Sequence, residues 1–267
     1  VAVNKALREM GFYVENNLSE PNLLSLLDLV ALGTVCDVMT LDGVNRAFVA
    51  QGLKIMKSRT NIGIRALFDV AGLDEEPSAY HLGFVIGPRI NAGGRVGKAD
   101  LGARLLSTNN EEEANKIAAE LNIYNNQRKD IEINILEEAK NYLEPTQQNH
   151  SVLLAASDKW HQGVVGIVAS RIKDLYNKPT AIIALKDGIG KASCRSIAGV
   201  DFGAAIIKAK FQGLLIEGGG HKMAAGFSVR ENKILDLQNF LNTELSEAVA
   251  LSNQNKISQF ADILDIN

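Results

Sequence analysis

Residues 180–195 read Thr-Ala-Ile-Ile-Ala-Leu-Lys-Asp-Gly-Ile-Gly-Lys-Ala-Ser-Cys-Arg. Two strand-like runs, one ending at Leu185 and one covering 191–195, flank Asp187-Gly188, a pair that hairpin turns favour because it tolerates positive φ. Around this hairpin, 152–156 and 225–229 read as strands, and 164–176, 202–210 and 232–248 as helices. Strands alternating with helices predict an α/β domain with a mixed sheet. Side chains two apart on a strand share a face, so Ser193 and Arg195 set a hydroxyl beside a guanidinium, with Ser196 next in the chain. Such a pair can bind a phosphate, or the arginine can simply pair with a surface carboxylate.

Residues 218–226, Gly-Gly-Gly-His-Lys-Met-Ala-Ala-Gly, read as a glycine loop. Gly219 and Gly220 let a ligand approach peptide N–H groups, and His221 and Lys222 add donors, a combination that suits a phosphate. A plain turn between helix and strand is the other reading. Trp160-His161-Gln162-Gly163 precedes a helix start free of charge, where an indole can stack on a base and the helix end can take an anion. Equally, the single Trp can pack beneath its loop.

Upstream the pattern is mostly helical, at 23–30, 44–57 and 64–70. Val3, Leu7 and Met10 mark one apolar face of an opening helix, and the first residue is Val, so the chain is expected to start inside a larger protein. Residues 33–43 are β-branched and then turn at Asp-Gly, which puts Asp37 near the end of a strand or helix. Residues 87–95 are too rich in Gly and Pro for a helix interior and read as a loop carrying Arg89, Asn91 and Arg95. From 111 to 143 there is neither Gly nor Pro, which predicts one long helix closed by Pro145. The expected organisation is 1–108, a connecting helix at 109–145, a second domain at 146–250, and a linker at 251–267.

Composition narrows the function classes without choosing among them. A 46% hydrophobic, 22% charged chain of 267 residues is ordinary for a globular protein, and a net charge of −3 leaves nucleic-acid contact to local clusters. Two distant cysteines, Cys36 and Cys194, indicate neither a disulfide framework nor a zinc site, and no secretory signal or membrane span is evident. A cytoplasmic location is expected. Asp37 suits Mg2+ or Mn2+, yet one carboxylate is not a metal site, and the four histidines show no clustered spacing.

Taken in order, Gly-Thr-Val-Cys-Asp-Val, Gly-Pro-Arg-Ile-Asn-Ala-Gly-Gly-Arg, Asn126-Gln127-Arg128, Trp-His-Gln-Gly-Val-Val-Gly-Ile-Val-Ala-Ser-Arg, Ser-Cys-Arg-Ser and Gly-Gly-His-Lys-Met-Ala-Ala-Gly closely resemble the RecJ-type exonucleases of the DHH phosphoesterase family. The resemblance runs through nearly the whole chain. It implies the C-terminal part of a DHH domain, a long connecting helix and a DHH-associated α/β domain. The implied activity is metal-dependent 5′→3′ hydrolysis of single-stranded DNA in repair and recombination, with two Mn2+ or Mg2+ ions. Asp37 matches the last metal-binding aspartate of the family, whose remaining ligands belong upstream of Val1, so the chain is expected to bind DNA while being catalytically incomplete. The oligonucleotide-binding domain that usually follows is also expected to lie beyond this chain.

By the same matching, Arg89, Asn91 and Arg95 face the DNA backbone, and Ser193, Arg195 and His221 form a pocket for a terminal phosphate. His221 alternatively caps the metal site as a catalytic group, and both roles stand open. Implied partners are single-stranded DNA with a 5′ end, repair helicases and single-strand-binding proteins, with no membrane. Two other readings are a DHH phosphodiesterase acting on short oligonucleotides or cyclic dinucleotides, and a non-catalytic nucleic-acid-binding module.

Overall fold

A computed structural model describes residues 1–254. The chain divides within its longest helix into two packing units, Val1–Gln127 and the part from Arg128 onward. No helix among the described residues is long and apolar enough to cross a membrane.

The first unit is helical. Helices α1 (Ala2–Glu9) and α2 (Phe12–Glu15) precede a 3-10 turn at Leu23–Leu26, then α3 (Leu27–Cys36), α4 (Gly43–Lys57) and α5 (Ile62–Ala71). A π turn at His81–Ile86 runs into α6 (Gly87–Val96), followed by α7 (Leu101–Ser107) and the first part of α8 (Glu111–Thr146). Local chemistry sets several ends. Asn61 accepts the Ile64 N–H at 3.0 Å to start α5, and Gly72 closes it at φ +67°. Asn110 does the same for α8 through Glu113 N–H, and Glu111, Glu112 and Glu113 favour the positive end of the helix. The core gathers Leu67, Phe68, Leu82, Ile86, Leu105 and Leu121.

Glycine is the packing residue of this unit. A Cβ on Gly52 would lie 2.2 Å from the Leu27 carbonyl oxygen and 2.5 Å from Ala31 Cβ, so α3 and α4 meet backbone to backbone. This corrects the reading of 87–95 as a loop. Those residues form α6, because Pro88 sits in the first turn, where no N–H is needed, and because Gly87 and Gly93 admit Cys36 Sγ and the Lys98 carbonyl oxygen at 2.4 and 2.6 Å from a would-be Cβ. The β-branched run after Gly33 is likewise helical to Cys36, with Asp37 as the C-cap and Val38 at φ +55°. The apolar face expected on the opening helix is also overturned. Val3 and Met10 are each 73% exposed, while Asn4 is buried and bonded to Glu20 and Tyr13.

The second unit is the mixed α/β layer. Its strands are β1 (Leu153–Ser157), β2 (Thr180–Lys186), β3 (Ile189–Arg195), β4 (Glu217–His221) and β5 (Ala224–Arg230), in the order β1-β2-β3-β5-β4. Only the β1–β2 pair is parallel, joined by α9 (Val165–Tyr176). Helices α10 (Phe202–Phe211) and α11 (Ile234–Gln254) cover one face, packing Phe202, Ile206 and Leu241 against Cys194, Ala225 and Phe227. Helix α9 packs on β2 and β3 from the other side. The expected hairpin is present, with Asp187 at φ +52° and Gly188 at φ +73°. The expected glycine loop is instead the edge strand β4, joined to β5 by Lys222-Met223. Residues 251–254 belong to α11, and the rest of the expected linker lies outside the described residues.

Polar groups on α8 fasten this unit. Glu132 pairs with Arg128 and Arg171, Glu138 accepts from Trp160 Nε1 at 2.8 Å, and Glu144 accepts from the Tyr176 hydroxyl at 2.6 Å. Burial, followed by that carboxylate, pushes the Tyr176 phenol up to about 12. Just past the helix, buried Gln147 donates to the Leu154 carbonyl at 2.6 Å and accepts its N–H at 2.9 Å, pairing the outer edge of β1.

Helix propensity alone favours Gly52→Ala by about 0.8–1 kcal/mol, whereas the backbone contact at Leu27 makes it an overpacking change worth about 1–3 kcal/mol of destabilisation. Urea unfolding of the variant is expected to show the loss. A gain in stability would mean that α3 and α4 are not held at this distance.

Candidate functional site

Register gathers the residues that sequence could only list. Across β3-β5-β4, Ser193 lies opposite Gly226 and Gly226 opposite Gly219, while Arg195 lies opposite Ala224 and Ala224 opposite His221. Cross-strand partners point to the same side, so hydroxyl, guanidinium and imidazole rise from one face with nothing larger than a methyl group between them. At about 4.8 Å per strand, the Arg195 and His221 backbones stand roughly 10 Å apart.

The Arg195 Nη1 group donates to Ser193 Oγ at 3.1 Å and to the Cys194 carbonyl at 2.8 Å, and among the described residues it has no carboxylate partner. Helix α9 brings its first turn to the same place. A Cβ on Gly166 would fall 2.9 Å from Ser193 Oγ and 3.5 Å from Arg195 Nη2. A helix start carries the positive end of the dipole, and here the Val165 and Ile167 N–H groups are taken by the His161 and Val164 carbonyls, which leaves that of Gly166 between them. Hydroxyl, guanidinium and helix start therefore converge on a spot suited to an oxyanion. His221 is exposed, and its Nδ1 accepts the Met223 N–H at 3.3 Å, which in the neutral ring leaves Nε2–H as a donor.

The glycines of β4 differ in purpose. Gly218 and Gly220 are required by packing, since a Cβ would meet Ile206 Cγ2 at 2.7 Å and the Ala224 carbonyl oxygen at 2.5 Å, and Gly220 has φ +153°. Around a Cβ on Gly219 there is open space. Its bareness serves no packing and leaves backbone exposed in the row of Ser193.

Other expected site residues lie elsewhere. The Trp160 indole is 7% exposed and bonded to Glu138, so it packs beneath its loop and offers only an edge to a ligand. His161 is exposed, with Nδ1 accepting the Gly163 N–H at 3.1 Å. Ser196 is buried at 2% exposure, its hydroxyl donating to the Val200 carbonyl at 2.8 Å, a bond that pins the turn after β3.

In the first unit, α6 separates its polar residues. Asn91 and Arg95 are one helical turn apart and exposed. Arg89 turns away from them, donating to Asn122 Oδ1 at 3.0 Å and the Val85 carbonyl at 2.7 Å, and burial lowers its guanidinium below the ordinary arginine value. Asp37 is exposed at the end of α3. Among the described residues no three His, Cys, Asp or Glu side chains gather to hold a metal ion, so Asp37 alone does not fit a two-metal centre. Sequence reading missed Gly166 and Lys191. The second has a signal, because Lys191-Ala-Ser193-Cys-Arg195 alternates with period two and puts all three polar groups on one face.

Residues 149–247 match the DHHA1 domain. The single-stranded-DNA-specific exonuclease RecJ of Dickeya dadantii is 43% identical over 242 residues, covering 87% of this chain and 42% of that protein. Crystal structures of RecJ from Thermus thermophilus in complex with Mn2+ and with Mg2+ superpose with TM-scores of 0.76 and 0.77 at 32% identity over 88% of this chain, and 34% and 36% of theirs. The chain thus spans about two fifths of the length of the curated relative.

Because Ser196 holds a buried turn, Ser196→Ala is expected to lose about 1–2 kcal/mol of stability by leaving the Val200 carbonyl unpaired. Inorganic phosphate binding, followed by calorimetry, should be unchanged. A selective loss of phosphate binding would return Ser196 to the site.

Proposed function

We infer, for a chain that belongs to the RecJ family of DHH phosphoesterases, that its second unit grips the 5′-terminal phosphate of single-stranded DNA. The observation that carries this is the pair of aligned rows, Ser193–Gly226–Gly219 and Arg195–Ala224–His221, beside the start of α9. Ser193 and Arg195 hold the anion, the bare backbone at Gly219 and Gly220 lets it approach, and the Nε2–H of His221 closes the far side. In the first unit, Asn91 and Arg95 meet backbone phosphates, and Arg89 positions α6 from behind. The whole protein is then a cytoplasmic 5′→3′ exonuclease of DNA repair and recombination, in which an anchored end decides which bond is cut. Both cysteines are unpaired, which suits a reducing compartment. Asp37 supplies one carboxylate toward the Mn2+ or Mg2+ that such an enzyme uses, and no hydrolytic step is assigned to the residues of this chain. The domain limits proposed are 1–108, 109–145 and 146–250.

Anisotropy with a 5′-phosphorylated single strand tests the grip. Arg195→Ala is expected to weaken binding about tenfold or more, and Gly219→Ala several-fold with an unchanged melting temperature. Removing the 5′ phosphate should bring wild type down to the Arg195→Ala level, and affinity should fall as salt rises. Equal affinity for phosphorylated and unphosphorylated ends would refute the terminal-phosphate pocket. Incubated with Mn2+ and the same strand, this chain is expected to leave the DNA intact; a ladder of shortened products would overturn the view that its residues do not complete the metal centre.

A further inference from the structure

A groove of about 730 Å³ opens beside the anion site, between the loop that leads into α9 and the tip of the β2–β3 hairpin. That volume is in the range of small-molecule sites. Its walls combine the side chains of Ala184, opposite Lys191 in the ladder, and Ile189 with the edge of Trp160, whose ring is locked by burial and by its bond to Glu138. At the rim stand His161, Gln162 and Lys191. Lys191 shares the face of β3 that α9 packs on with Ser193 and Arg195, and its Cα is about 7 Å from that of Ser193, the two-residue repeat of a strand. One sugar bridges that distance.

The charges argue for a base and against a second phosphate. Lys186 and Lys191 are matched in the lining by Asp158 and Asp187, so the groove has no net excess of positive charge. Lys191 forms no ion pair among the described residues, and the His161 ring, with Nδ1 engaged by the Gly163 N–H, presents Nε2–H in its neutral form. Apolar walls with donors and acceptors at the rim suit a heterocycle with polar edges, and apolar contact does not choose strongly among the four bases.

We propose that this groove seats the base of the nucleotide whose phosphate is held by Ser193 and Arg195. The proposal rests on the terminal-phosphate reading and adds to it a base subsite lined by Ala184, Ile189 and Trp160, with Lys191 and Gln162 at the base edge. The 5′ end is thereby recognised as a whole nucleotide.

Titration calorimetry on this chain with three probes separates the two ideas: thymidine 5′-monophosphate, 2-deoxyribose 5-phosphate and inorganic phosphate. On wild type the nucleotide is expected to bind about fivefold or more tightly than the sugar phosphate. Ile189→Ala and Gln162→Ala, at exposed positions and without a change of charge, should each shrink that advantage while leaving the sugar phosphate and inorganic phosphate unchanged. Arg195→Ala should weaken all three probes. A nucleotide that binds no better than its sugar phosphate, or an advantage that survives both groove variants, overturns the base subsite while the anion site stands. Three probes indifferent to Arg195→Ala overturn the anion site itself, and the base subsite with it.

Discussion

Everything the second unit offers a ligand depends on strand register. The Asp187-Gly188 turn sets Lys186 opposite Ile189, and from there the ladder puts Ser193 and Arg195 on one side of β3 and Cys194 on the other. Cys194 is fully buried among α10 and α11, where desolvation pushes its thiol well above the ordinary range. A slip of one residue would drive a guanidinium and a hydroxyl into that core and turn a thiol outward. The hydrophobic demand at one residue thus fixes the direction of its two polar neighbours, and the pairing with β5 and β4 carries the same choice two strands further, to Gly219 and His221.

Local signals carried much of the architecture. The hairpin, the long helix and the strand–helix alternation were readable because turn dipeptides, caps and apolar periodicity act over a few residues. Glycine was not readable, since one residue type does three jobs here. At Gly188 it supplies a turn, at Gly52 and Gly87 it lets a neighbouring element come close within a helix, and at Gly219 it leaves space empty. Only the neighbours distinguish these, and they are remote in sequence. For the same reason 87–95 resembled a loop and 218–221 a cradle, although both are regular structure.

The site was legible in kind but not in arrangement. Ser193 and Arg195 lie side by side as strand periodicity requires, yet their alignment with His221 passes through β5, with the whole of α10 intervening in the chain. Trp160 and Ser196 show the opposite limit. Both have side chains that ligands use, and in both the polar atom is bonded internally, to Glu138 and to the Val200 carbonyl. Composition cannot tell a polar group that faces solvent from one already satisfied by its own fold. Arg89 belongs with them, held by Asn122 and Val85 while Asn91 and Arg95 stay exposed.

Gln147 has a consequence beyond the stability of one strand. A sheet whose outer strand shows unpaired N–H and C=O groups is a template on which another chain can lay a strand of its own. The Gln147 amide occupies those groups at Leu154 with a donor and an acceptor of its own, imitating a neighbouring peptide one residue long. Because it is a side chain and not a strand, it offers nothing further to pair with, and at Leu154 the edge of β1 is closed to another chain.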